Sequence, residues 1–221
     1  SRFPNGLGND NGLLGKYVAF QNYRGYLYAD FEGAMETYYY GRRPTQPMIP
    51  NFRNIKKQEM DFLRGYMSFF GADRPRAIAD GIGAAFKDAL TEAGGWRINM
   101  SLQGETIPKE TNHVRLSKDQ KDKWGIPVLR FHYKFGDKND ERLLKDFFTA
   151  GSEMLDAAGC KNIQSVDTKQ APGLDIHEVG GVRMGHDPKT SLLDKWNALH
   201  HCKNVFVTDG ACMTSTGTQN P

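Results

Sequence analysis

Several features that mark a chain's class at first sight are missing from this one. Cysteine is scarce: Cys160, Cys202 and Cys212 are the only three in 221 residues. They are far apart, odd in number and form no CxxC pair, so neither a zinc site nor a disulfide framework is expected, only packed, reduced thiols. No run approaches the roughly 20 apolar residues needed to span a bilayer. The opening Ser1-Arg2-Phe3-Pro4-Asn5-Gly6 lacks the apolar stretch of a secretory signal. Charge of neither sign dominates: 29 Lys and Arg stand against 26 Asp and Glu, a net charge of +3. The cations are scattered among acids rather than gathered in a stripe, which argues against a nucleic-acid surface. A dinucleotide fingerprint, GxGxxG with an acid about 20 residues on, is lacking too. Gly81-Ile82-Gly83-Ala84-Ala85-Phe86 has its opening but no third glycine, and falls inside a predicted helix. No internal repeat or low-complexity tract is present.

What is there is a globular composition, 38% hydrophobic and 25% charged, in a chain long enough to bury a core in one or two domains. A soluble protein is expected, with its compartment open (cytoplasmic or periplasmic if bacterial). Residues 1–15, rich in Gly and Asn, read as loop. Aromatics recur among polar residues from Tyr17 to Phe31, a pattern for strands or a covering loop. Pro44, Pro47 and Pro50 make residues 41–54 an irregular excursion, a lid or a subunit contact. Phe62–Phe70 is a predicted strand. Ala77–Ala93 has helical spacing (Ile78, Ile82, Phe86, Leu90), ended by Gly94-Gly95. Trp96–Gln103 alternates apolar and polar residues, as do shorter strands at His113–Leu116 and Pro127–Phe135. Asp140–Ala158 is the clearest helix, closed by Gly159. Alternating strands joined by short turns predict an α+β fold, a mainly antiparallel sheet with helices on one face.

The last 45 residues carry the candidate chemistry. His177 precedes Gly180-Gly181, and a neutral imidazole suits removal of a hydroxyl proton. The glycines would let backbone pass close to a flat ligand. By spacing alone, a lone histidine here is more often structural, and Arg183 with Asp187 reads equally as a loop ion pair. Asn204–Ala211 is a hydrophobic strand running into Asp209-Gly210, which suits the edge of a cofactor or an ordinary buried turn. Asn220-Pro221 offers an amide able to hold a substrate oxygen, or simply a turn. His132 alternates with aromatics in the strand Phe131 to Phe135 and is a candidate for the substrate face. His200-His201 has no third ligand near it and reads as surface. The sequon Asn99-Met100-Ser101 falls within a predicted strand and reads as chance.

Taken together, His177-Glu178-Val179-Gly180-Gly181, Asn204–Ala211 and Asn220-Pro221 resemble the C-terminal signature of the glucose–methanol–choline (GMC) oxidoreductase family. Phe3–Asn9 with Gly12–Lys16 resembles the segment leaving the flavin-binding domain in its bacterial sugar-oxidising branch. Asn112–Leu116 with Trp124–Pro127 resembles the family's paired substrate-domain strands. The resemblance implies an FAD-dependent enzyme that oxidises a sugar or polyol by hydride transfer to flavin N5. His177 would be the catalytic base and Asn220 the second catalytic residue. Asp209, Gly210, Asn220 and Pro221 would lie against the flavin. It also implies a division into residues 1–15, leaving the FAD-binding domain, a substrate-binding α+β domain at 16–170, and a motif segment at 171–221 returning towards an incomplete FAD-binding α/β domain. The phosphate-binding part of the cofactor site is then expected elsewhere in a longer parent chain, and an electron-acceptor protein is a candidate partner. Two alternatives stay open: an inactive fragment serving as a sugar-binding or docking module, and a lyase of the same family.

Overall fold

In the strand Trp96–Gly104, apolar residues at every second position give one face that must be covered. The computed structural model describes residues 3–36, 46–76, 81–134, 137–171, 174 and 176–221, and in it this strand centres the larger of two main sheets. In chain order the strands are β1 (Lys16–Ala19), β2 (Gly25–Phe31), β3 (Met48–Ile49), β4 (Tyr66–Asp73), β5 (Trp96–Gly104), β6 (His113–Lys121), β7 (Pro127–His132), β8 (Lys161–Asp167), β9 (Val179–Gly181), β10 (Ala198–Leu199) and β11 (Cys202–Phe206). The larger sheet has the order β3-β4-β5-β2-β8, the second β7-β6-β1-β9, and β10 pairs with β11 alone. All of these pairings are antiparallel. The fold is α+β, as the alternation predicts.

Helix α2 (Lys138–Ala157) covers the apolar face of the larger sheet. It buries Leu143, Leu144, Phe147, Ala150, Gly151 and Leu155 on one stripe, the spacing an amphipathic helix requires. Leu143, Leu144, Phe147 and Leu155 meet Leu27, Phe62, Tyr66, Met100 and Leu102 in one core. Asp137 caps the helix by accepting from the Asn139 amide, and Asp140 and Glu141 place negative charge at its positive end. Gly159, with φ 84°, follows its C-terminus.

Other elements depart from the sequence pattern. Helix α1 spans only Ala84–Thr91 and buries no residue. Gly83 holds φ 104°, which interrupts any helix entering from the predicted start, and Ile82 is fully exposed. Ile78, of the predicted stripe, lies outside the described residues, as does Phe135. The strand expected from Phe62 starts at Tyr66, because Arg64 adopts φ 67°, while Phe62 is buried from a loop. Strand β8 has no counterpart in the sequence pattern, since its exposed residues carry no clear apolar alternation. Within the 41–54 excursion, Met48–Ile49 pairs with β4, and residues 41–45 lie outside the described ones. No helix among the described residues is long and apolar enough to cross a membrane.

Residues 20–24 carry the chain from the second sheet to the first. Asn22 exchanges two backbone hydrogen bonds with Gly104, at 2.7 and 3.0 Å, and so pins this crossing to the end of β5. Buried Arg24 clamps Asp167 bidentately, at 2.9 and 2.6 Å, and donates to Glu141 at 2.7 Å. One guanidinium therefore ties the crossing to β8 and to the first turn of α2.

Candidate active site

Strand β9 pairs with β1 through a bulge. Lys16 faces Gly181 and Ala19 faces Val179, so Tyr17 and Val18 together oppose Gly180. Such a bulge twists its strand and redirects the chain beyond it. Beyond β1 lie Phe20, Gln21, Asn22 and Tyr23, and just before β9 lies His177. The two segments meet through side chains.

His177 holds a left-handed backbone, φ 70°, uncommon for a residue with a Cβ. Its Nδ1 lies 2.5 Å from Gln21 Oε1 and 3.4 Å from the Tyr23 hydroxyl. That hydroxyl donates to Gln21 Oε1 at 3.0 Å. Gln21, 2% exposed, donates from Nε2 to the carbonyls of Gly217 and Gln219, both at 3.0 Å. Gln103, 1% exposed, donates from Nε2 to Gln21 Oε1 at 2.9 Å and to Asn220 Oδ1 at 3.2 Å. A continuous polar path thus runs His177–Gln21–Gln103–Asn220. Burial lowers the His177 imidazole below the ordinary histidine range, against a smaller opposing effect of Glu178. The ring is therefore neutral near pH 7. Its Nε2 bonds to no side chain or backbone group among the described residues.

Asp209 and Gly210 come to the same region by a different route. The hydrophobic strand predicted to run into them ends at Phe206, and a 3-10 turn, Gly210–Cys212, comes after it. Asp209 caps that turn by accepting from the Ala211 amide at 3.1 Å. Val182 and Met184 donate their amides to the carbonyls of Ala211 and Cys212, each at 3.0 Å, binding the turn to the chain just after β9. A Cβ at Gly210 would collide with the Glu178 carbonyl, so only glycine permits this approach beside His177. Asn220 and Pro221 are exposed.

The structure does not bring His132 to this cluster. Its ring stacks on that of its cross-strand partner His113, with centroids 4.6 Å apart. The row His132–His113–Lys16–Gly181 crosses the second sheet, so His132 stands three strands from β9, roughly 14 Å at about 4.8 Å per strand. Arg183 and Asp187 form no ion pair with each other: the guanidinium lies 3.7 Å over the Tyr17 ring and donates to Thr190 O, while Asp187 closes a turn on the Lys189 amide. His200 Nε2 and Ser191 Oγ are hydrogen-bonded at 2.9 Å. No group of three or more His, Cys, Asp or Glu among the described residues is arranged to hold a metal.

Sequence reasoning misses Gln21, Tyr23 and Gln103. Their positions there look like ordinary strand residues, and only the tertiary pairing reveals them. Fold and site together define an antiparallel α+β domain with a neutral imidazole and an exposed amide linked through two buried glutamines. The chain belongs to the GMC oxidoreductase family: the family model of that description matches residues 108–221. It is 26% identical over 224 residues to the fructose dehydrogenase large subunit of Gluconobacter japonicus, covering 99% of this chain and 40% of that protein. It is 29% identical over 234 residues to the 2-methyl-1,2-propanediol dehydrogenase of Mycolicibacterium austroafricanum, with 99% and 40% covered. Paromamine 6'-oxidase of Streptomyces fradiae is 29% identical over 229 residues, with 100% and 38% covered. The chain thus spans about 40% of the length of these relatives.

Proposed function

We propose that this chain is the substrate-binding and catalytic portion of an FAD-dependent oxidoreductase that oxidises a hydroxyl of a sugar or polyol. The observation that carries this reading is the hydrogen-bonded path joining His177 to Asn220 through Gln21 and Gln103. The names of the relatives support the substrate class, since they couple dehydrogenation or oxidation to fructose, to a diol and to paromamine.

In this reading His177 removes the hydroxyl proton, because its imidazole is neutral near pH 7 and can gain charge during the reaction. Asn220 holds the substrate oxygen by hydrogen bonding without a change of charge. FAD, when bound, supplies the hydride acceptor at N5. The residues present fit one edge of such a group. The Asp209 side chain is turned back onto its own 3-10 turn, and Gly210 brings the backbone of that turn against the Glu178 carbonyl, next to His177. Asp209, Gly210, Asn220 and Pro221 would line that edge. The phosphate-binding part would come from the FAD-binding domain of the whole protein. Residues 1–15 and 171–221 would adjoin that domain, and 16–170 would form the substrate-binding domain. An electron-acceptor protein would be the further partner.

The test is anaerobic reduction of the flavin in the complete protein by fructose, other sugars and diols. His177→Ala is expected to slow the reduction by about 10²–10⁴-fold, the usual contribution of a general base. An undiminished rate overturns the assignment of the base.

A further inference from the structure

We propose that Gln21 is a positioning residue that dictates which ring nitrogen of His177 is bare, and that together with Gln103 it gives the two site residues opposite hydrogen-bonding polarity. This rests on the reading of His177 as the base and Asn220 as its partner.

The orientation of the Gln21 amide is fixed by its surroundings. One end faces two carbonyl oxygens, of Gly217 and Gln219, which only an N–H group can satisfy. The other end is then the oxygen Oε1, which accepts from Gln103 Nε2 and from the Tyr23 hydroxyl. An amide oxygen cannot donate, and His177 Nδ1 lies 2.5 Å from it. If Nδ1 were bare, two lone pairs would face each other at that distance. Nδ1 therefore carries the hydrogen and donates to Gln21, and in the neutral ring the lone pair sits on Nε2. The Tyr23 hydroxyl does not change this, since its hydrogen already goes to Gln21 Oε1. The 2.5 Å between Nδ1 and Oε1 is the shorter of the two contacts made by Nδ1.

Gln103 completes the pattern at the other residue. Its Nε2 donates to Asn220 Oδ1, so the oxygen of that amide is engaged and the Nδ2 hydrogens are the end left open. A substrate hydroxyl then finds an acceptor at His177 Nε2 and a donor at Asn220 Nδ2. That combination withdraws the proton and stabilises the oxygen left behind. The reverse setting of either group would place a donor opposite the hydroxyl hydrogen, or an acceptor opposite its oxygen.

The ring nitrogens of His177 report this directly, without turnover. In the complete protein labelled with 15N-histidine, at a pH where the ring is neutral, the His177 signals (assigned by their loss in His177→Asn) are expected to show Nδ1 protonated and Nε2 bare. Gln21→Glu, with its second oxygen protonated against the Gly217 and Gln219 carbonyls, keeps an oxygen facing Nδ1 and retains that tautomer. Gln21→Met removes the acceptor and shifts the ring to Nε2–H or to a mixture. A wild-type spectrum with Nε2–H overturns the proposal, and so does an unchanged Nδ1–H tautomer in Gln21→Met. Should Gln21→Met fail to fold, the wild-type spectrum and the retained tautomer of Gln21→Glu decide. In flavin reduction, Gln21→Met is expected to lose roughly 10- to 100-fold in rate with little change in half-saturation, as loss of a group that orients a histidine does. If His177→Ala leaves the flavin rate intact while the tautomer is as stated, the assigned reaction fails and the positioning stands. If His177→Ala abolishes the rate but the tautomer is Nε2–H, only the positioning fails.

Discussion

Gly180 lies against Tyr17 with no room for a methyl group between them: a Cβ on the glycine would collide with the Tyr17 carbonyl oxygen. Both residues hold left-handed backbones, φ 84° and 61°, at the bulge where β1 and β9 meet. Of the Gly180-Gly181 pair that could serve a flat ligand, Gly180 is thus already demanded by the packing of one strand on another, and Gly181 is favoured by its own φ of 94°. The same bulge sets the approach of Gln21 to His177.

Gly180→Ala is accordingly expected to destabilise by about 3 kcal/mol, from left-handed strain plus overpacking against backbone. Gly159→Ala is the matched control. Its φ is also 84°, but nothing lies within 4 Å of the added methyl, so only strain remains and the loss should be about 1 kcal/mol. Denaturant unfolding of both variants separates the two effects. Equal losses would show that β1 and β9 can move apart.

The proton-transfer reading makes a pH prediction whose sign is fixed by burial. His177 is held below the ordinary value of 6.5, so its base form persists into mildly acidic solution. The acidic limb of kcat/KM for the complete enzyme should therefore have its midpoint below 6.5. Glu178 opposes the shift, and Glu178→Gln should move the midpoint further down. A midpoint above 6.5, or an upward move in the variant, would contradict His177 as the titrating group.

Arg24 offers a test of how the crossing is anchored. It is 4% exposed and makes three charged hydrogen bonds, to Asp167 and Glu141. Arg24→Met leaves the Asp167 carboxylate near an apolar side chain, with Lys169 as its remaining cation at 2.7 Å. Removing one partner of a buried pair typically costs about 3–5 kcal/mol, and about 3 kcal/mol is expected here because Lys169 compensates in part. Thermal unfolding measures the loss. Because Arg24 follows Tyr23 directly, the Nδ1–H signal of His177 should also broaden. A loss below about 1 kcal/mol would show that the clamp contributes little to the crossing.

The range of each interaction decides whether the sequence discloses it. The strand expected over Trp96–Gln103 and the helix expected over Asp140–Ala158 are legible because period two and period 3.6 are written in consecutive residues, and Gly159 marks the helix end. His177, Asp209, Gly210 and Asn220 are legible as a family motif, though each alone looks structural. Gln21 and Gln103 are not, because a buried glutamine carries no local signal: its partners are 196 and 117 residues away, at Gly217 and Asn220. Of the helix expected over Ala77–Ala93, residues 81–83 are not helical for a local reason, the conformation of Gly83, which apolar spacing does not register. His132 is singled out by alternation alone, which states a face of a strand but not which strands lie between it and the site.

Asp140 gives the last prediction. It sits in the first turn of α2, where negative charge is favourable, yet burial pushes its carboxyl up to about 6, against the opposing pull of Lys109 and Arg24. A carboxyl whose folded value exceeds its unfolded one binds its proton more tightly in the native state. Its contribution is therefore fully present below about pH 4 and is lost as the pH rises through about 6. Asp140→Asn keeps the shape and removes the charge. At about pH 4 the variant and the parent should unfold alike, whereas at about pH 8 the variant should be the more stable, by about 2 kcal/mol after allowance for partial solvent access. The slope of stability between about pH 4 and 6 should flatten correspondingly in the variant. If instead Asp140→Asn is less stable at about pH 8, the helix end and its cations outweigh burial, and the carboxyl titrates in the ordinary range.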